Sequence, residues 1–274
     1  MTSQNGKHLE GIKLVLIDIE GTLVPGKDVD MRPHYWGLLK GIAERKRNFL
    51  IGLSTGREAA YAVRFVELLG RNGKIIGESG GELYDCDTKI TLLLIKDSKL
   101  KLLRQAERLL DEYVTNRHGT KEPKNTMLTY NPPAGVQTHA FCDELEAELS
   151  LKKPALRGEL DFTFSQSAVD ITCKGINKGT GALELAKMVA IPLNSIAIIG
   201  DSMNDIKAFA IIAAGNGVCV APSNATQEVK EYINLLIRQG KPAYISDKHS
   251  TGAVLELLSD VLKQTDGSAK LATE

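Results

Sequence analysis

A chain of 274 residues with 43% hydrophobic content has enough apolar side chains for two small cores, and 34 basic residues balance 34 acidic ones. Zero net charge excludes the global positive field that favours nucleic acid or an anionic membrane, so an anionic ligand must be held by local groups. The opening MTSQNGKHLE lacks the apolar stretch of a leader peptide, and no apolar run approaches the ~20 residues of a membrane helix, so a cytoplasmic protein is expected.

In chain order, the first element is the apolar run Ile12–Asp18 within GIKLVLIDIEGTLV, which reads as a buried strand ending in two carboxylates, Asp18 and Glu20. Further strands are predicted at Phe49–Ser54 and Lys74–Gly77. The stretch Gly56–Leu69 between them has helical spacing and a C-cap signal at Gly70. Between Glu82 and Thr172 the rhythm changes. A strand-like run at Lys89–Ile95 leads into a charged helix at Ser98–Asn116. A strand at Thr126–Tyr130, a helix near Asp143–Leu151 and the hairpin pair DFTF and SAVDIT follow. Beyond it come a helix at Lys178–Ala190 and strands at Ile196–Gly200, Gly217–Val220 and Ala243–Ser246.

This alternation predicts an α/β fold, a Rossmann-like, mostly parallel sheet interrupted by an inserted α/β domain. The expected division is a core over residues 1–81 and 174–263, an insert over 82–173, and a disordered tail over 264–274. The four cysteines, Cys86, Cys142, Cys173 and Cys219, form no CxxC pair and read as small buried hydrophobes. The five histidines form no HExxH or HxH pair, so a histidine zinc site is not expected.

Ligands of open parallel sheets bind outside the carboxyl ends of the strands. The first strand ends in Asp18-Ile19-Glu20-Gly21-Thr22, the second in Ser54-Thr55-Gly56-Arg57, and the one at Ile196 in Gly200-Asp201-Ser202-Met203-Asn204-Asp205. Lys178 opens the helix before that last strand. Taken singly, each of these is a weak signal that reads more readily as a capping or solvated loop. Taken together on one sheet edge, they gather three clustered acids, a hydroxyl and a lysine. Clustered carboxylates need a neutralising cation, and an all-oxygen set suits magnesium. Lysine, hydroxyl and backbone N–H groups suit a phosphoryl group, so phosphoryl transfer through an aspartyl-phosphate fits.

DIEGT, STGR, the lysine of NKGTGAL and GDSMND stand in the order of the four motifs of the haloacid dehalogenase superfamily, which the chain resembles. The combination is similar to the branch with a large α/β cap, which includes Cof-type sugar phosphatases, sucrose-phosphatase and archaeal-type phosphoglycolate phosphatases. ESGGELYD resembles that branch's ENGA/ENGG segment, with Ser79 in place of the usual Asn, and APSNA resembles its segment after the fifth core strand.

The resemblance implies a magnesium-dependent phosphomonoesterase acting on a small phosphorylated metabolite, such as phosphoglycolate or a sugar phosphate. It implies Asp18 as nucleophile and metal ligand. Glu20 is the implied acid and base, with its backbone carbonyl on the metal. Thr55 or its neighbour Ser54, with the Gly56 N–H, would take the phosphoryl oxygens. Lys178 would offset charge, with Lys174 as rival. Asp201 and Asp205 complete the metal site, Asn204 contacts phosphate or hydration shell, and Arg57 and Asn224 are candidate substrate contacts. A phosphosugar mutase of the same branch is a rival reading. Most relatives in the branch carry Asp where this chain has Glu20, which adds a catalytically weakened phosphate-binding homologue as another.

Overall fold

The computed structural model describes residues 9–26, 33–45, 49–65, 73–165 and 167–271. The end of the helix expected to run to Leu69, and its Gly70 cap, lie outside the described residues. The chain forms two compact units, residues 1–92 with 178–274, and residues 93–177.

The first unit is built on an eight-stranded sheet. Its strands are β1 (Leu14–Asp18), β2 (Leu50–Ser54), β3 (Lys74–Gly77), β4 (Glu82–Asp85), β5 (Ile90–Leu93), β10 (Ile196–Ile199), β11 (Val218–Ala221) and β12 (Ala243–Ile245). The order is β12-β11-β10-β1-β2-β3-β4-β5. All pairs from β12 to β3 are parallel, and β4 returns antiparallel on β3. β4 and β5 thus extend the core sheet, and the first unit continues to Leu92, whereas the sequence places residues from 82 in the insert.

Every residue of β1 is buried, as expected for a central strand covered on both faces. On one face Val15, Ile17 and Leu53 pack with Leu39 of α1 (Pro33–Arg45) and with Val254, Leu257 and Leu258 of α9 (Ser250–Leu271). The helix α9 runs on past Gln264, where the polar composition predicts a disordered tail.

Further helices of this unit are the short α2 (Ala59–Ala62), α6 (Lys178–Met188), α7 (Met203–Ala214) and α8 (Gln227–Arg238). The approach of α6 to α7 depends on Gly179: a Cβ there would lie 2.4 Å from the carbonyl oxygen of Lys207. That close packing buries Lys178, the first residue of α6, to 1% exposure.

The second unit has an antiparallel sheet in the order β6-β7-β9-β8. Its strands are Thr120–Glu122, Leu128–Asn131, Val169–Cys173 and Leu160–Phe164 respectively. Helices α3 (Asp97–Asn116), α4 (Thr138–Lys152) and the short α5 (Pro154–Arg157) accompany it. Leu103, Leu110, Phe141, Leu145 and Leu149 pack with Leu128, Tyr130, Val169 and Ile171 into a core of its own. Among the described residues no helix is long and apolar enough to cross a membrane.

Candidate active site

Parallel register fixes which strand ends meet. Asp18 pairs with Ser54 across β1 and β2, and Ile17 pairs with Ile199 across β1 and β10. The loops after β1, β2 and β10 therefore leave the same edge, beside the point where the chain reverses its direction of travel across the sheet.

Asp18, Asp201 and Asp205 each offer a carboxylate oxygen within 4.8 Å of the others. Lys178 lies among them, its Nζ 2.6 Å from Asp18 Oδ1 and 2.7 Å from Asp205 Oδ1. The other oxygen of Asp205 accepts from the backbone N–H groups of Asp201 and Ser202, both at 3.1 Å. Asp205 thus joins the acidic cluster and closes the capping box of α7 at once. Asn204 Oδ1 accepts from the Ser202 hydroxyl at 2.7 Å. Lys174, the alternative lysine, is exposed in the second unit, while Lys178 joins the acids.

One lysine does not balance this cluster. Burial, then the Asp205 charge, push the Asp18 carboxyl well above its ordinary range; Lys178 opposes them, and Asp201 and Glu20 add to the rise. Burial and Asp205 push Asp201 up to about 6, against a hydrogen bond from Thr22, the charge of Lys178 and a hydrogen bond with Asp18. Burial pulls the Lys178 ammonium down, yet Asp18 and Asp205 overcome it and leave that group above its usual value. Excess negative charge among hard oxygen donors fits a divalent cation, so the residues present suit the metal they were expected to hold.

The loop after β1 is shaped for this. Thr22 Oγ1 donates to Asp201 Oδ1 at 2.7 Å, orienting that acid. Gly21 has φ +81°, and a Cβ there would lie 2.3 Å from Asp201 Oδ2. Its carbonyl accepts from Asn224 Nδ2 at 2.7 Å and from the Ser250 hydroxyl at 2.9 Å. Asn224 Oδ1 in turn accepts from the Ser250 N–H at 2.7 Å. Both ends of the Asn224 amide are engaged in bracing this loop.

Ser250 escaped the sequence reading, whose only available signal was a polar turn before a helix. We predict that Gly21→Ala, by left-handed strain of ~1–3 kcal/mol and by displacing Asp201, weakens divalent-cation affinity at least tenfold. Isothermal titration of the folded variant checks this.

At the end of β2, Thr55 Oγ1 contacts Glu20 Oε2 at 3.3 Å and accepts from the Arg57 N–H at 3.1 Å. Gly56 is half-buried in the turn between them. Arg57 Nε donates to Glu20 Oε1 at 2.8 Å, a contact the sequence did not disclose. The neighbouring Ser54 hydroxyl is buried and has no hydrogen-bond partner among the described residues. An orphaned donor beside Asp18 in register is what a phosphoryl oxygen would satisfy, so it stands with Thr55 as a candidate phosphate contact.

Clustered carboxylates, a buried lysine and an unpaired hydroxyl at the edge of a parallel sheet make an acidic site that could hold a divalent cation and is suited to a phosphoryl group. The chain belongs to the haloacid dehalogenase-like hydrolase family, which it matches over residues 15–241. It is 28% identical over 225 residues to a phosphoglycolate phosphatase of Methanopyrus kandleri, covering 82% of this chain and 90% of that one. A phosphoglycolate phosphatase of Methanosarcina acetivorans is 29% identical over 230 residues, with coverage of 81% and 88%. Among solved structures, the sucrose-phosphatase of Synechocystis sp. PCC6803 in complex with sucrose and phosphate superposes with a TM-score of 0.64 at 19% identity. That match covers 91% of this chain and 97% of the other.

Proposed function

We propose that this protein is a magnesium-dependent phosphomonoester hydrolase that acts on a small phosphorylated metabolite, phosphoglycolate or a sugar phosphate, through an aspartyl-phosphate on Asp18. The observation that carries the reading is the buried placement of Lys178 between Asp18 and Asp205, with Asp201 alongside. The names of the relatives support the substrate class.

In this reading an Asp18 oxygen attacks phosphorus. The ester oxygen departs with its bonding pair and takes a proton from the Glu20 carboxyl. Glu20, now a carboxylate, removes a proton from water as that water attacks the phosphoryl group, which frees Asp18 and releases phosphate. Lys178 offsets charge on Asp18 and on the phosphoryl oxygens, while Ser54, the Gly56 N–H and the Thr55 hydroxyl, once it turns its one proton from Glu20, hold those oxygens. Asn204 sits at the start of α7, where it can contact phosphate or the ion's hydration shell. Asp18, Asp201, Asp205 and the Glu20 carbonyl would hold magnesium, which when bound neutralises carboxylates and phosphate together. Uncatalysed phosphate-ester hydrolysis is slow enough to need up to ~10²¹-fold acceleration, so these groups must act jointly.

The test is phosphate release from a panel of phosphorylated metabolites, with and without magnesium. Magnesium-dependent turnover of phosphoglycolate or a hexose phosphate is expected, and no release from any member would overturn the reading.

A thermal measurement checks the metal separately. A carboxyl whose folded pKa is raised stabilises the metal-free protein fully below the unfolded value and ceases to do so as pH rises through the folded one. For Asp201 that window runs from 3.8 to about 6. Magnesium competes with those protons. At one hundred times its dissociation constant it should add about 2.7 kcal/mol near pH 7.5, and this gain should fade as pH drops through about 6. A magnesium-induced Tm shift equal at pH 5 and pH 8 would contradict the site.

A further inference from the structure

Glu20 has three side-chain torsions, and a proton donor must hold one of the resulting poses to reach the departing oxygen. The structure grips both of its carboxylate oxygens. Oε1 accepts from Arg57 Nε at 2.8 Å, and Oε2 accepts from Thr55 Oγ1 at 3.3 Å. The backbone N–H of Arg57 donates to that same Thr55 hydroxyl at 3.1 Å, so the two contacts form one turn. The Arg57 guanidinium also lies 4.7 Å from the centre of the Tyr61 ring, on which Arg64 stacks at 3.9 Å. Both side chains of the Glu20–Arg57 pair are 26% exposed, and an ion pair so open to water contributes little to folding. Its consequence lies in where the carboxyl is held.

We propose that Arg57, seated on Tyr61, is the positioning residue that sets Glu20 toward the leaving-group oxygen. This rests on the phosphatase reading and reassigns Arg57 from substrate contact to partner of the acid. Lysine would keep the charge but lose the planar N–H and the ring stacking, so it should restore the function only in part.

The test uses aryl phosphates of one shape and graded leaving-group basicity: p-nitrophenyl, phenyl and p-methoxyphenyl phosphate, with magnesium. A poor leaving group depends on the proton and p-nitrophenolate hardly does. Arg57→Ala should therefore lower kcat/KM about 30-fold for p-methoxyphenyl phosphate but about 3-fold or less for p-nitrophenyl phosphate. The dependence on leaving-group pKa should steepen toward that of Glu20→Gln, and Arg57→Lys should fall between. In the Glu20→Gln background the further loss from Arg57→Ala should be under about 3-fold, because the two act as one unit. Equal losses across the series, or a change in KM alone, overturn the proposal and return Arg57 to the substrate or the turn. Additive losses in the double variant overturn it too. If Arg57→Ala does not fold, Arg57→Lys carries the same comparison. Wild-type protein inert toward all three esters and toward the metabolite panel refutes the hydrolase reading, and this proposal with it; wild-type turnover with parallel lines refutes the Arg57 role alone.

Discussion

Asp18→Asn should yield a folded protein with at least ~10³-fold lower phosphatase activity. The amide has the size of the carboxyl but no charge with which to attack phosphorus. The fold should not suffer. Burial and the Asp205 charge already disfavour ionised Asp18 in the metal-free protein, and Asn removes that burden. Lys178 keeps Asp205 as a partner at 2.7 Å. Without magnesium the variant should therefore melt at or above the wild-type temperature, while the gain on adding magnesium shrinks because one ligand is gone. Steady-state assays and paired melts check both halves. Retention of a tenth of wild-type activity would remove Asp18 from the nucleophile role.

Lys178→Met should show the opposite balance, a large loss of stability as well as of activity. Lys178 is 1% exposed, and its removal strands Asp18 and Asp205 in the interior without their cation. Breaking one side of a buried ion pair costs about 3–5 kcal/mol. The loss should depend on pH in a definite direction. Without the ammonium the Asp18 carboxyl, already raised, moves further up. Stability is then retained where it is protonated and lost as pH rises through its folded pKa. Urea unfolding without magnesium should accordingly show a larger deficit at pH 8 than at pH 5. An equal deficit at the two pH values, or one below ~1 kcal/mol at pH 8, would mean that Lys178 is not the counter-charge of this site.

Much of this architecture was legible in the sequence, for a physical reason. Asp18, Thr55, Asp201 and Asp205 each lie within a few residues of the end of an apolar strand, and parallel strands bring such ends to one edge. Lys178 was legible through the glycines that follow it, one of which permits the close approach of α6 to α7. Contacts that depend on side-chain reach were not legible. The pairing of Arg57 with Glu20 spans 37 residues and depends on the conformation of two loops. The bonds of the Asn224 amide to the backbone at Gly21 and Ser250 span 203 and 26 residues. The edge strands were also misassigned. All four residues of β5 are exposed, so no inward-facing alternation marks it as part of the core sheet. The small polar residues after Gln264 gave no sign that α9 continues to Leu271, since propensity alone does not favour a helix there.

The central claim is that hydrolysis passes through a covalent phosphoryl group on Asp18. Acid-quenching the protein during turnover of phosphorus-32-labelled p-nitrophenyl phosphate with magnesium tests it most directly. The account predicts an acid-stable, hydroxylamine-labile label on the peptide that contains Asp18, absent from Asp18→Asn. Rapid turnover with no labelled protein at any quench time, or a label on another residue that survives in Asp18→Asn, would contradict it.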